Sequence, residues 1–244
     1  MAFDGIVAKA IALELDTALE DSRVDKIYQP GKDELLFIIR THSDRLKVYA
    51  SCNGTHPGIF LSKEEYDNPL NAPAFCMLLR KHLQGSRLIS VHQKDCDRVV
   101  EISFETRNEL GDTVIKKCVF EIMGRHSNII LIDCSTGKIL DALKRMPLDE
   151  IHTRQILPGQ PYFCPPAQGK IPFDRITPDE IRSFHQEDDM SQTLLSNIQG
   201  ISPLIARELC HVCSRQVYYK LHILFYQSVR MSRLPDRNIC HRRF

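Results

Sequence analysis

The chain has 244 residues, 43% of them hydrophobic, and a formal net charge of +1. That is enough apolar material for one large or two modest domains. The balanced charge excludes a global pull towards nucleic acid or a membrane surface, so any anion site must be a local patch.

The balance hides an asymmetry. Seven of the 32 Lys and Arg and one of the 31 acids fall in residues 211–244, leaving 25 bases against 30 acids in residues 1–210. No apolar run approaches the length of a membrane span, and the N-terminus lacks the basic, apolar, small-residue order of a signal peptide. A cytoplasmic protein is expected. The nine Cys are an odd number, and Cys76, Cys118 and Cys134 stand singly in apolar contexts. They read as small core residues in a reducing compartment, not a disulfide framework.

The spacing predicts a helix over 4–21, with Val7, Ile11, Leu15, Ala18 and Leu19 as its apolar stripe. Asp4 stands where an N-cap belongs. Strands follow over 24–29, 34–40, 46–51 and 58–61, separated by turn signals at Pro30-Gly31, Ser43-Asp44 and Asn53-Gly54. A second helix is predicted over 71–83, with Pro73 in its first turn and Phe75, Met77, Leu78, Leu79 and Leu83 buried. Arg80, Lys81 and His82 gather at its C-terminal end. They serve either the helix dipole or a phosphate-facing patch. Gly85 ends the helix.

Five more strands are expected over 87–93, 98–106, 113–122, 127–133 and 138–143. The stretch 86–104 carries the most chemistry. Val100, Ile102 and Phe104 alternate with Glu101, Ser103 and Glu105 as in a half-buried strand. Between the two strands sit Asp95, Cys96, Asp97 and Arg98. An Asp-Arg pair at the mouth of a hairpin puts an acceptor beside a planar five-donor fork, which suits a phosphate or a base edge. Arg98 paired with a neighbouring carboxylate is the other reading. Arg125, in the bend Gly124–Asn128, is a further candidate for ligand contact, against a plain Gly-containing bend.

Residues 157–172 contain five prolines and exclude a helix or a central strand. They read as a linker strapped along the first domain. Thr177 caps a short helix, Ser191–Ile198 forms another, and Ile198–Arg207 resembles a helix-hairpin-helix in which Ser202 replaces the usual second glycine. Such a motif either meets a phosphate or serves as a packing unit. From His211 the chain turns basic and aperiodic, as a disordered tail or a reading-frame shift would make it. Cys210 and Cys213 with Cys240 and His241 lack the spacing of a zinc site, and no metal is expected.

Phe3-Asp4-Gly5, VDKIYQPGKDELLFIIR from Val24, LLRKHLQGSRL from Leu78, Asp97-Arg98, GRHSNIILID from Gly124 and LPGQPYFCPP from Leu157 together resemble the NFACT family. This family includes bacterial fibronectin-binding protein A and the RqcH-type ribosome quality-control factors. The resemblance covers residues 3 to about 210. It implies an α+β protein: an NFACT-N domain over 1–156, a Pro-rich linker over 157–176, a partial helix-hairpin-helix region over 177–212 and a basic tail over 213–244. The NFACT-N fold is similar to the N-terminal domain of formamidopyrimidine-DNA glycosylases, a β-sandwich with flanking helices. The coiled coil and NFACT-R domain of the family have no counterpart here, since no sustained heptads occur.

The resemblance implies an RNA-binding module, without enzymatic activity or cofactor. It would hold tRNA, alanyl-tRNA in the bacterial factors, at a stalled large ribosomal subunit carrying peptidyl-tRNA. The family's functional residues fall on Asp4, Asp97 and Arg98; Arg80, Lys81, His82 and Arg125 are secondary candidates for phosphate contact on their own chemistry alone. The glycosylases use an N-terminal Pro and a following Glu, and this chain begins Met1-Ala2-Phe3, so that chemistry is not expected. A fibronectin-binding adhesin and a catalytically dead glycosylase-like DNA-binding protein are the alternatives.

Overall fold

The computed structural model describes residues 3–147, 154–166, 168–184 and 189–214. The chain divides into two compact units, Met1–Gln168 and Gly169–Phe244. The first unit opens with helix α1 (Gly5–Ala18) and strands β1 (Arg23–Tyr28), β2 (Glu34–Arg40), β3 (Arg45–Ser51) and β4 (Gly58–Ser62). Helix α2 (Ala74–Leu83) follows, then β5 (Arg87–Gln93), β6 (Val99–Arg107), β7 (Thr113–Glu121), β8 (Asn128–Asp133) and β9 (Lys138–Ala142). All nine strands join one sheet in the order β4-β3-β2-β1-β5-β6-β7-β8-β9, and the neighbouring strands run antiparallel.

The sandwich expected from the resemblance is thus one continuous sheet folded on itself. In a flat sheet β2 and β7 would lie four strand spacings, about 19 Å, apart. Yet the rings of Phe37 on β2 and Phe120 on β7 meet edge to face at 6.2 Å between centroids. The fold occurs at the seam between β1 and β5. There the ladder holds one registered pair, Arg23 with Arg87, beside main-chain bonds of Val24 to Ser86 and Gly85 to Val24. Gly85, at φ +81°, makes the tight exit from α2 into this seam.

Past the seam, the Asp16 carboxylate on α1 accepts the Val91 amide at 2.6 Å and so covers the open edge of β5. The stripe of α1 that packs inward is Ala8, Ala12, Leu15 and Leu19, while the expected Val7 and Ile11 are only partly buried. Small residues on the contact face let the helix axis approach the sheet closely. On α2, Phe75, Leu79 and Leu83 enter the core as expected, but Met77 is half exposed. Cys134 is exposed too, just past the end of β8, whereas Cys52, Cys76, Cys96 and Cys118 are buried thiols that form no disulfide.

The second strand of the central hairpin also departs from expectation. From Val99 to Phe104 every residue of β6 is buried. A second apolar cluster, with Val99, Val119, Ile130 and Ile139, lies on the opposite face of this half of the sheet, and Ile156 and Tyr162 pack into it. The first part of the Pro-rich stretch therefore belongs to the first unit. Ile139 and Gln160 exchange a main-chain bond of 2.8 Å there, and the Tyr162 amide bonds Gly137 at 3.0 Å.

The second unit contains β10 (Ile171–Pro172), α3 (Pro178–Ser183), α4 (Met190–Asn197), β11 (Ile198–Gln199) and α5 (Pro203–Ser214). Thr177 and Glu180 form a capping box at α3. Gly200, at φ +90°, turns the chain between β11 and α5, and the Ser202 hydroxyl accepts the Ile205 amide at 3.3 Å. Ser202 thus caps α5. The basic tail from 215 on, with Cys240 and His241, lies outside the described residues.

Candidate nucleic-acid interface

The turn joining β5 to β6 has a demanding backbone. The Asp97 amide bonds the Lys94 carbonyl at 2.9 Å, and the two central residues, Asp95 and Cys96, have φ of 46° and 57°. That is the type I′ pattern, which matches the right-handed twist of a hairpin but usually needs Asn or Gly. Asp tolerates the left-handed region, Cys less so. Cys96 is buried there, so its side chain anchors the strained turn. The turn delivers Asp97 and Arg98 to the start of β6, where the Arg98 carbonyl is held by the Ile122 amide at 2.8 Å.

Asp4 is drawn to the same place. Its carboxylate caps α1 by accepting the Val7 amide at 3.0 Å, and it is 5% exposed. The side-chain nitrogen of Gln93, the last residue of β5, donates to the Gly5 carbonyl at 2.6 Å and to the Asp97 carbonyl at 2.7 Å. One amide thus welds the start of α1 to the hairpin. Of the expected site residues, Asp4, Asp97 and Arg98 come together. Asp97 turns one carboxylate oxygen onto the Arg98 amide at 2.7 Å, and Asp95 pairs with Lys94 at 3.1 Å. Among the described residues no carboxylate pairs with the half-buried Arg98 guanidinium.

The secondary candidates disperse. Arg80 donates to the Ile27 carbonyl at 2.7 Å and lies over the Tyr28 ring. Lys81 pairs with Glu109 at 3.1 Å. The Lys116 ammonium sits 2.6 Å from His82 Nδ1. Burial first, then the charges of Lys116 and Lys81, hold the His82 imidazole below its ordinary value. Nδ1 of the neutral ring accepts from the ammonium. Lys116 stands opposite Phe104 on β6, six residues or about 20 Å along the strand from Arg98. These three side chains therefore form no patch with the Asp97-Arg98 pair. Arg125 is exposed in a 3-10 turn, Gly124–His126, and its Nε lies 3.0 Å from the His126 ring.

A buried charge cluster behind the hairpin escaped the sequence reading. The Glu101 carboxylate on β6 receives Lys117 at 2.7 Å and His92 at 2.9 Å. Next along the same face, buried Glu121 accepts the Arg154 guanidinium and the Tyr162 hydroxyl, the latter at 2.8 Å. Burial and then Glu121 push the Tyr162 hydroxyl well above its ordinary value. Strand alternation marks Glu101 and Glu121 as surface residues. Only the strap that covers this face makes them buried partners.

The model of the NFACT N-terminal and middle domains matches residues 4–225. The chain belongs to the NFACT family. Over 213 residues it is 37% identical to the Rqc2 homolog RqcH of Bacillus subtilis, covering 86% of this chain and 37% of that protein. It is 29% identical over 133 residues to the human ribosome quality control complex subunit NEMF, 54% of this chain and 11% of that protein. The N-terminal structure of the fibronectin/fibrinogen-binding protein from Streptococcus suis superposes with a TM-score of 0.84 at 31% identity, covering 95% of this chain and 84% of that one. This NFACT chain thus spans under two-fifths of the length of its bacterial relative. Its homologues are named as ribosome quality-control factors.

Proposed function

We propose that this NFACT chain is a tRNA-binding module of a cytoplasmic ribosome quality-control factor. It holds tRNA, alanyl-tRNA by family analogy, at a stalled large ribosomal subunit carrying peptidyl-tRNA. Alanine is thereby added to the nascent chain, and peptide-bond chemistry belongs to the ribosome. The observation that carries this reading is the Arg98 guanidinium, presented on a hairpin locked to α1 by Gln93 and paired with no carboxylate among the described residues. Its planar fork fits a phosphate or a base edge, and the free oxygen of Asp97 can accept from a base amino group or a 2′-hydroxyl.

The test is tRNA binding by the 244-residue chain over a salt series, beside the double substitution Asp97→Ala, Arg98→Ala. Salt-sensitive binding that the double substitution removes, with an unchanged melting temperature, is the expected result. Binding that survives both salt and substitution refutes the assignment. A second reading follows from the Streptococcus suis neighbour, which is described as binding fibronectin and fibrinogen. It predicts saturable capture of fibronectin by the purified chain, unaffected by excess tRNA.

A further inference from the structure

Directly opposed residues on neighbouring strands project from the same face of a sheet. The observed registers place Arg45 opposite Arg40, Arg40 opposite Arg23, and Arg23 opposite Arg87. Four arginines therefore form one row across β3, β2, β1 and β5. With strands about 4.8 Å apart the row is about 14 Å long. Like charges in directly opposed positions destabilise a sheet, so the row costs the isolated fold wherever no acid offsets it.

Neighbouring acids answer only part of it. Asp25 lies 3.4 Å from Arg45, while Asp21 and Glu105 take Arg87 at 3.4 and 3.2 Å. Arg23 donates to the Gly85 carbonyl at 3.2 Å. Among the described residues neither Arg23 nor Arg40 forms a close ion pair, although the charge of Arg23, after that of Arg87, helps hold the Glu105 carboxyl below its ordinary value. Arg23 and Arg40 both line a surface cleft of about 460 Å³ together with Val24, Asp25, Gln84 and Gly85.

The same face carries aromatic rings farther along. A register shift between Val24 and Lys26 inserts one residue in β1, which keeps Lys26 and Tyr28 on the side of Arg23. Tyr28 then stands opposite Leu36, Leu36 opposite Tyr49, and Tyr49 opposite Phe60. Arg80 lies over the Tyr28 ring and Tyr49 is stacked on Tyr66 at 4.7 Å, so Phe60, 41% exposed, is the ring of this row most open to a base. This aromatic row runs about 14 Å from the arginine row, four residues along the strands. A cationic track beside stackable rings on a sheet face is the arrangement that takes unpaired nucleotides: phosphates on the cations, bases on the rings.

We infer that the outer face of β1–β4 is a second RNA surface, which binds an unpaired segment by its phosphates at Arg23 and Arg40 and by its bases at the Tyr28–Phe60 row. It rests on the RNA-binding reading but uses other residues. The arginine row lies at the end of β5 opposite Gln93, about 20 Å from the hairpin.

The experiment measures binding of a single-stranded 12-mer of uridines to the 244-residue chain across a salt series, with and without Arg23→Ser, Arg40→Ser. Losing two phosphate contacts lowers the salt slope by about 1.4, at about 0.7 per contact on a single strand. The melting temperature stays level or rises, because opposed like charges are removed. A 4-thiouridine oligomer should crosslink to peptides holding Tyr28, Tyr49 or Phe60. An oligomer that does not bind, an unchanged slope, or crosslinks confined to the hairpin overturn the inference, and a protein partner would then be the occupant of the face. If tRNA binding still requires Asp97 and Arg98 in that event, the primary reading stands and only this surface fails.

Discussion

Gln93 donates its side-chain amide to the main-chain oxygen of Asp97 at 2.7 Å, and the same nitrogen reaches Gly5 at 2.6 Å. The hairpin and the start of α1 are thereby one rigid body. Gln93→Leu strips two part-buried carbonyls of their donor, at a cost of about 1–3 kcal/mol. Chemical denaturation should show that loss. Weaker tRNA binding should accompany it, although both amide hydrogens of Gln93 are already spent on the protein.

Cys96 tests the strain in the turn. At φ 57° a β-branched residue is a true outlier. Cys96→Val should cost more than about 2 kcal/mol, whereas Cys96→Gly trades lost burial for relief of strain and stays within about 1 kcal/mol. Cys118, buried on β7, should show the reverse order. Urea titrations of the four variants check this.

Breaking the buried Glu121 cluster should be severe. Glu121→Ala leaves the Arg154 guanidinium without its carboxylate and should cost about 3–5 kcal/mol. The pair Glu121→Leu, Arg154→Met should recover most of that. Limited proteolysis of residues 154–166, rapid in the single variant and slow in the double, is the readout beside thermal unfolding.

His82 sets a pH dependence. Its folded value lies below the ordinary 6.5, with burial as the main cause. As pH falls through about 6.5 the unfolded chain takes the proton and the folded one resists it, so stability declines towards acid. His82→Gln keeps an acceptor for Lys116 and cannot titrate. It should flatten the fall in melting temperature between about pH 7 and pH 5.

Much of this was legible because it is local. The cap of Asp4 on Val7, the capping box at Thr177 and the Asn53 turn, where Asn53 accepts the Thr55 amide at 3.0 Å, depend on residues two or three positions apart. Strands β2 and β5 begin and end where period and punctuation put them. The hairpin bearing Asp97 and Arg98 was legible for the same reason. The basic end of α2 misled, since charge at a helix end does not say where each side chain goes. Arg80, Lys81 and His82 turn to β1, to the Glu109 loop and to β7.

Taken alone, the amino-acid order determines the elements, their caps and turns, and a hairpin with an Asp-Arg pair at its mouth, because neighbours in the chain settle these. It does not determine that Gln93 joins Gly5, that a strap buries Glu121, or that residues 23, 40, 45 and 87 become one row of arginines. Strand pairing and the folding of the sheet at the β1–β5 seam decide those, since only register brings distant positions to the same face.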